Sequence, residues 1–210
     1  MTISLARRIL AWPLKQFFDL HAPWYKRRVV GQLLPLLPDQ GQVLDVGCDD
    51  GFVGLSIHRA KPGLELQGVD VQQIRPCHIP RTVYDGATLP FPDNSFDVVM
   101  AMDVLHHIKS ITPVLREMAR VSRRLVLLKD HMSHGRFSHF MVGFGDWLAN
   151  LAYGIPCAYN FPTEQGWMRH FEEASLRLAR PLLRPDLGWH LSGDVNPIFL
   201  LEKGTVQAPA

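Results

Sequence analysis

Between residues 42 and 129 short apolar runs alternate with helical segments, and this alternation constrains the fold more than any other feature of the sequence. The apolar runs are short and rich in Val and Leu, as buried strands are, whereas residues 111–121 repeat their apolar side chains at helical spacing. Strands that alternate with helices favour a parallel sheet with a helical layer on each face. The predicted strands are residues 42–46, 64–69, 81–84, 96–100 and 125–129, and the predicted helices between them are residues 51–60 and 111–121.

The C-terminal part of the chain departs from this alternation. A helix is predicted over residues 163–174, with Thr163 as its cap and Glu164 in its first turn. Two apolar segments follow, residues 176–182 and 197–201, and we expect a hairpin because no helix separates them. The predicted fold is therefore α/β: a Rossmann-like, doubly wound, mostly parallel seven-stranded sheet with a C-terminal antiparallel hairpin strand.

The length of 210 residues fits one domain with its own core. Residues 1–38 are expected to form a helical N-terminal arm that serves as a lid or a surface contact. The main domain is predicted over residues 39–204, with residues 131–162 inserted above the strand ends and a disordered tail over residues 205–210. The arm is expected to break into pieces at its four prolines, Pro13, Pro23, Pro35 and Pro38.

The formal net charge of +2 is too small to indicate a nucleic-acid partner, but its distribution is uneven. Residues 1–40 carry six basic and two acidic side chains, a net charge of +4, which leaves −2 for the rest. Aromatic side chains are interleaved with the basic ones, so residues 1–30 could contact the inner face of an anionic membrane. The three widely spaced cysteines match neither a disulfide framework nor a zinc pattern, which favours a reducing, cytoplasmic location.

Residues 45–51, Asp-Val-Gly-Cys-Asp-Asp-Gly, follow the first strand, where doubly wound folds bind their ligands. Gly47 allows a sharp turn and a close approach of a ligand to the backbone, and Gly51 begins the next helix. The adjacent acids Asp49 and Asp50 would repel a pyrophosphate, so a ligand with a cationic sulfonium and an amino group suits this loop better. Taken alone, such a Gly-x-x-x-Gly turn usually only begins a helix.

Three further polar positions also come directly after predicted strands. Asp70 follows the second strand and can accept hydrogen bonds from ribose hydroxyls. Residues 85–87, Asp-Gly-Ala, follow the third strand and can read an adenine edge, and residues 102–103 follow the fourth. Each position alone could be a strand-end cap or a turn. Because all follow strands in order, they favour one shared ligand site.

Four stretches of the sequence also occur in the order typical of one known family. On these stretches the chain resembles the class I S-adenosylmethionine-dependent methyltransferases, within the group that contains quinone and small-molecule methyltransferases. The resemblance covers residues 40–203 and implies that the cofactor is S-adenosylmethionine. The stretches are Leu44-Asp45-Val46-Gly47-Cys48, Asp70, Asp85 with Leu89-Pro90-Phe91, and Phe96-Asp97-Val98-Val99 leading to Leu105-His106-His107.

The resemblance also implies residue roles. Gly47 lies beside the methionine part, Asp70 binds the ribose, Asp85 lies near the adenine, and Asp45 supports the loop and contacts the methionine amine. The family usually has glycine where this chain has Asp49, which bears on how the methionine part is held. The candidate cofactor-binding residues are Asp45, Gly47, Cys48, Asp49, Gly51, Asp70, Val71, Asp85, Gly86, Ala87, Met102 and Asp103.

Histidines follow the fourth and fifth strands, where a base for an oxygen acceptor is expected. His131 is the preferred candidate, because the end of the fifth strand faces the acceptor in this fold, and His106 and His107 are the other two. Each could instead be structural, by packing the loop or ordering the insertion. His131 and His134, with Asp130 and His139, permit a metal, but no metal is predicted because the spacing matches no known ligand motif.

The insertion carries four aromatic residues at spacings of three and four, which a helix would place on one face. They could be core residues or a lid over an apolar acceptor. They are Phe137, Phe140, Phe144 and Trp147.

The predicted activity is methyl transfer to a small or carrier-attached, largely apolar or aromatic acceptor, with oxygen favoured over carbon or nitrogen as the atom methylated. Residues 102–105 read Met-Asp-Val-Leu, not the Asn/Asp-Pro-Pro-Tyr tetrad common in methyltransferases that act on adenine or amide nitrogen. One alternative is a non-catalytic module that keeps the S-adenosylmethionine fold, for which Asp49 is the sequence support. A nicotinamide oxidoreductase is disfavoured by the acidic loop and the closing hairpin.

Overall fold

The computed structural model describes residues 5–72, 76–151, 158–185, 187 and 196–204. Within these residues the order of elements is that of an alternating α/β chain with a closing hairpin. The elements are α1 (Leu5–Leu33), β1 (Gln40–Val46), α2 (Phe52–Ala60), β2 (Gly63–Asp70), β3 (Arg81–Val83), β4 (Phe96–Met102), α3 (Ile111–Val121), β5 (Ser122–Lys129), α4 (Arg136–Leu151), α5 (Glu164–Glu173), β6 (Leu176–Leu178) and β7 (Ile198–Lys203).

The strands form one seven-stranded sheet in the order β3-β2-β1-β4-β5-β7-β6. The first five strands in chain order are parallel, and β7 lies antiparallel between β5 and β6. This arrangement confirms the predicted doubly wound sheet with an antiparallel hairpin strand. The strand order reverses between β1 and β4, and in such sheets ligands bind beyond the carboxyl ends of the strands at this switch point.

Alternate residues of the central strands enter two separate hydrophobic clusters, one on each face of the sheet. Leu44 and Val99 are buried in the cluster that contains residues of α3 and α5. Val43 and Val98 belong to the opposite cluster, which contains residues of α1 and α2. A sheet buried on both faces needs apolar side chains in both directions, which explains the nearly continuous apolar runs of β1 and β4.

The N-terminal arm is one helix, and the prediction that it breaks at its prolines is wrong for Pro13 and Pro23. Both lie inside α1, which runs without interruption from residue 5 to residue 33. A proline removes one backbone donor and favours a bend, but the turns on either side can stay helical. The last turns of α1 are held by burial, since Val29, Val30 and Leu33 pack into the second cluster.

Most element boundaries lie within a few residues of the prediction. Thr163 caps α5 as expected, because its Oγ1 accepts a hydrogen bond from the backbone N–H of Gly166 at 3.2 Å. The penultimate strand is shorter than predicted: β6 ends at Leu178, and Leu183 forms only an isolated bridge with Ile198. The predicted tail, residues 205–210, lies outside the described residues.

The Trp167 side chain anchors α5 against the sheet and gives a test of the packing. It is fully buried, with its ring centroid 5.7 Å from that of Phe171 and 5.5 Å from that of Phe199. Replacing it in Trp167→Ala should lower the free energy of unfolding by about 3–5 kcal/mol, because a cavity remains where the ring packed. Denaturant titration measures this change.

The matched control is Val83→Ala, since Val83 is a half-exposed apolar residue on the edge strand β3. We expect it to change stability by less than about 0.5 kcal/mol. Equal effects of the two substitutions would contradict the packing described for α5.

Candidate active site

The loop after β1 is shaped by two glycines in the left-handed region. Gly47 has a φ of +73° and Gly51 a φ of +70°. A Cβ on Gly47 would lie 2.5 Å from Cγ2 of Val104, and one on Gly51 would lie 2.7 Å from Sγ of Cys77. Both positions therefore require glycine for its conformation and for its lack of a side chain. The turn brings the loop against residues that follow β4.

Asp49 occupies a third left-handed position in the same loop, with a φ of +47°. This conformation suits glycine, although Asp tolerates it better than most residues. Its backbone N–H donates to Oδ2 of Asp70 at 3.0 Å, which ties the loop to the end of β2. The side chain of Asp49 is about half exposed, so an aspartate in place of the usual glycine leaves the turn itself intact.

The acids of this loop face a cation from α1. Nζ of Lys26 lies 3.0 Å from Oδ1 of Asp50 and 3.7 Å from Oδ2 of Asp49. Asp45 is buried beneath them, and burial raises its pKa to about 7, with the charges of Asp70 and Asp50 acting in the same direction and Lys26 opposing them. The loop is thus less negative than the sequence suggests. Lys26 was not predicted here, and its place in a basic arm was the only signal for it.

The candidate cofactor segments that follow β2 and β3 lie side by side. Oδ1 of Asp85 accepts hydrogen bonds from the backbone N–H groups of Ala87 and Thr88 at 2.8 and 2.9 Å, and these hydrogen bonds lower the pKa of Asp85. Gly86 has a φ of +82°, and a Cβ there would lie 3.1 Å from Cγ1 of Val71. The segment after β2 and the segment after β3 therefore line the same edge of the sheet.

The carboxylate of Asp130 organises the ends of β4 and β5. It is fully buried and accepts four hydrogen bonds. The donors are the backbone N–H groups of Val104 (3.2 Å), Leu105 (2.7 Å) and His131 (2.7 Å), and Nδ1 of His106 (2.6 Å). A buried carboxylate with this many donors stays ionised, and the pKa of Asp130 is accordingly lowered despite its burial.

His106 is held between two carboxylates. Besides Asp130 at Nδ1, its Nε2 lies 3.4 Å from Oδ1 of Asp146 on α4. Burial opposes protonation, but the two carboxylates outweigh it and raise the pKa of His106 to about 10. His106 is therefore an imidazolium at neutral pH. It can hold the loop after β4 to α4 and has no lone pair with which to take a proton.

His131 has the opposite protonation state. Burial is the main reason that its pKa falls to about 4, and the positive charges of Lys129 and His106 add to the effect. Its Nδ1 is buried and has no hydrogen-bond partner among the described residues. Its Nε2 lies 3.9 Å from Oδ1 of Asp103. A neutral imidazole with an unpartnered nitrogen is the form that a general base requires.

A fully buried lysine completes the site. Nζ of Lys129 donates to Oδ1 of Asp103, to the hydroxyl of Tyr25 and, at 2.8 Å, to Oδ1 of Asn196. The charge of Asp103 keeps the pKa of Lys129 above its usual range despite the burial. Since Tyr25 belongs to α1, this network joins the arm to the ends of β4 and β5. Sequence reasoning missed Tyr25 and Asn196, which come from distant segments.

A match along the sequence agrees with this fold. Residues 44–125 match the family model described as a methyltransferase domain, and the match includes the glycine loop, Asp70, Asp85 and Asp103. Over this stretch the chain is similar to a methyltransferase domain, and its fold is that of the class I S-adenosylmethionine-dependent methyltransferases. The cofactor of this family is S-adenosylmethionine.

Two curated relatives illustrate the range of this family. Over 102 residues the chain is 36% identical to a demethylmenaquinone methyltransferase from Corynebacterium efficiens, a match that covers 46% of this chain and 43% of the relative. Over 110 residues it is 28% identical to a tRNA (carboxymethyluridine(34)-5-O)-methyltransferase from Schizosaccharomyces pombe, covering 50% and 45%. The matches thus span about half the length of these relatives, and the relatives differ in acceptor.

A solved structure shares the fold. An S-adenosylmethionine-dependent methyltransferase from Mesorhizobium loti superposes with a TM-score of 0.62 at 15% identity, covering 82% of this chain and 96% of that one. At this identity the likeness concerns the fold alone. Among the described residues of our chain, no helix has the length and apolar character needed to cross a bilayer.

The described residues also include a possible metal-ligand set, but not the one considered from the sequence. His106, His107 and Asp146 each offer a ligand atom, and these atoms lie within 4.8 Å of one another. His131, His134 and His139 are not part of this group. The ion pairs of His106 with Asp130 and Asp146 account for the arrangement without a metal, so the absence of a metal stays a prediction.

The aromatic residues of α4 are not core residues, so that interpretation is wrong. The helix turns Val142 inward, where it is buried with Phe161, and its aromatic stripe outward. The four rings are between 42% and 78% exposed: Phe137, Phe140, Phe144 and Trp147. Periodicity identified the stripe correctly but could not decide which face of α4 packs, since both faces carry apolar side chains.

The charge of His106 can be tested through the pH dependence of stability. A histidine whose pKa is raised from 6.5 in the unfolded chain to about 10 in the folded protein stabilises the folded state. This contribution to the free energy of unfolding is complete below pH 6.5 and is lost as the pH rises through 10. We expect His106→Asn to lower the free energy of unfolding by about 3 kcal/mol at pH 7. The difference from wild type should shrink between pH 7 and 10.

Urea titrations at several pH values in that range measure this difference. The control is His58→Asn, because His58 is an exposed histidine on α2. Its effect should not vary with pH between 7 and 10. A pH-independent effect of His106→Asn would contradict a charged His106.

Proposed function

We propose that this chain transfers the methyl group of S-adenosylmethionine to an oxygen of a small or carrier-attached, largely apolar or aromatic acceptor. The observation that carries the proposal is the neutral, partly buried imidazole of His131, whose Nε2 lies 3.9 Å from the carboxylate of Asp103. It lies at the carboxyl end of β5, in the crevice where this fold places its ligands.

The residues of the crevice fit the cofactor. Two glycines leave the backbone accessible, and the acids around them suit a ligand that carries a sulfonium and an amino group. The carboxylate of Asp70 lies at the end of β2, where its oxygens can accept hydrogen bonds from the ribose hydroxyls. The carboxylate of Asp85 is held by backbone N–H donors near the expected position of the adenine. Lys26 adds a positive charge beside the glycine loop. We assign this charge to the binding of the methionine carboxylate of the cofactor.

Bound there, S-adenosylmethionine supplies a methyl group on cationic sulfur, so the protein has mainly to position the acceptor and remove its proton. His131 is assigned to take the acceptor's O–H proton on Nε2, because Nδ1 is buried. The imidazolium that results is balanced by Asp103, whose carboxylate is 3.9 Å from Nε2. His106 is a positioning residue in this scheme, since its ion pairs with Asp130 and Asp146 join the loop after β4 to α4.

An apolar acceptor is supported by what surrounds His131. Its ring contacts that of Phe161 edge to face, with centroids 5.8 Å apart, and Phe161 in turn contacts Tyr159. The name of the Corynebacterium efficiens relative indicates a quinone acceptor, which has the same apolar, aromatic character. The near-neutral charge of the chain supports an acceptor other than nucleic acid, and a cytoplasmic location remains part of the proposal.

The cofactor site is tested by calorimetry with S-adenosylmethionine and S-adenosylhomocysteine. We expect wild type to bind both and Asp70→Ala to bind at least about tenfold more weakly, because a charged hydrogen-bond acceptor is lost. Lys26→Met should weaken binding in the same direction. Asp39→Ala is the control, since Asp39 is an acid whose side chain is 96% exposed.

Equal affinities in Asp70→Ala and wild type would show that the cofactor is not held at the end of β2. Absence of any binding by folded wild type would remove the cofactor site from this chain.

The role of His131 is tested by turnover. With quinol and phenol acceptors, His131→Gln should lower kcat by about 10²- to 10⁴-fold, the usual loss of a general base, while cofactor affinity stays unchanged. Release of S-adenosylhomocysteine measures the rate. His134→Gln is the control, because His134 is an exposed histidine three residues away.

An unchanged rate in His131→Gln would assign the base elsewhere. Cofactor binding without turnover by wild type on any acceptor would favour the non-catalytic binding module.

A further inference from the structure

Large exposed apolar side chains are concentrated on two helices. Of the eleven found among the described residues, eight belong to α1 or α4. Soluble domains scatter such side chains, and a concentration of them marks a contact surface. The eight are Trp12, Phe17, Leu20 and Trp24 on α1, and Phe137, Phe140, Phe144 and Trp147 on α4.

On α4 the exposed rings form a continuous stripe. Phe140 and Phe144 are stacked with centroids 6.4 Å apart, and Phe144 and Trp147 with centroids 5.8 Å apart. The opposite face is already in use, because Val142 is buried and Asp146 pairs with His106. The stripe therefore cannot turn inward without breaking these contacts, and it faces outward as a built feature of the helix.

On α1 the exposed aromatic side chains are accompanied by positive charge. The helix carries six basic residues and one acid, Asp19. The guanidinium of Arg28 lies over the ring of Trp24, 5.0 Å from its centroid, and Arg27 beside it is exposed. Trp with Arg is the combination found where a protein meets the headgroup layer of a membrane, since both have an apolar body and a polar or charged part.

The two helices lie together, because α1 packs against α4. We propose that they seat the protein on the surface of an anionic bilayer, with the aromatic side chains in the headgroup region and Arg27 and Arg28 of α1 against lipid phosphates. Charge favours this occupant, since the first forty residues carry +4 and the remainder −2. A leaflet with anionic lipids attracts such an arm and leaves the more acidic body turned toward water.

The same helix also reaches the active site. Tyr25 and Lys26, next to Trp24, contact Lys129 and Asp50 at the strand ends. An acceptor dissolved in the bilayer would thus enter beside the helix that contacts the lipid. The surface proposal itself rests on exposure and charge alone, so it stands or falls independently of methyl transfer.

Vesicle flotation tests the proposal with the full chain. Wild type should float with vesicles of phosphatidylcholine and phosphatidylglycerol, bind phosphatidylcholine alone at least about tenfold more weakly, and lose affinity as salt is raised. The pair Phe140→Ser and Phe144→Ser, and separately Arg27→Glu with Arg28→Glu, should each weaken binding by at least about tenfold. Val83→Ser is the control, because Val83 is a half-exposed apolar residue on β3.

Circular dichroism and the unfolding midpoint of each variant separate a lost surface from a lost fold. A blue shift of tryptophan fluorescence on adding anionic vesicles, reduced in Trp24→Phe, gives a second readout. The proposal is overturned if wild type does not bind anionic vesicles or if the aromatic substitutions leave binding unchanged. It is also overturned if those substitutions instead convert a dimer into a monomer, which would make the surface a contact between copies of this chain.

Discussion

The buried carboxylate of Asp130 is the interaction on which the site depends. Taking a carboxylate out of water is costly unless its oxygens are satisfied, and here four donors satisfy them. Three of the donors are backbone N–H groups, two after β4 and one after β5. Asp130 therefore joins two loops that parallel strands alone would leave side by side but unconnected. Its charge also keeps His106 protonated, and His106 extends the connection to α4.

A second set of polar contacts joins the N-terminal helix to the same edge of the sheet. Lys129 is fully buried and donates hydrogen bonds to Tyr25, Asp103 and Asn196. Lys26 forms an ion pair with Asp50 in the glycine loop. Because α1 is held over the crevice in this way, it has two roles. Its inner side contributes to the site, and its outer side carries the exposed aromatic and basic residues proposed to contact lipid.

Much of the fold could be predicted because its signals are local. The apolar run of β1, the helical period of α3 and the cap at Thr163 each depend on a few neighbouring residues, and all three are present in the structure. Predictions failed where distant packing overrides a local preference. Pro13 and Pro23 did not end α1, and the aromatic stripe of α4 lies outside the core because the other face of the helix contacts Phe161 and His106.

The sequence by itself determined the alternating architecture, the closing hairpin and the glycine loop, since these follow from periodicity, turn chemistry and order along the chain. Only the tertiary structure decided the state of the charged groups. His106 and His131 both follow strands and are alike as residues, yet one has its pKa raised to about 10 and the other has its pKa lowered to about 4. The difference arises from burial and from Asp130, Asp146 and Lys129, because a pKa depends on which charges the fold brings within a few ångströms.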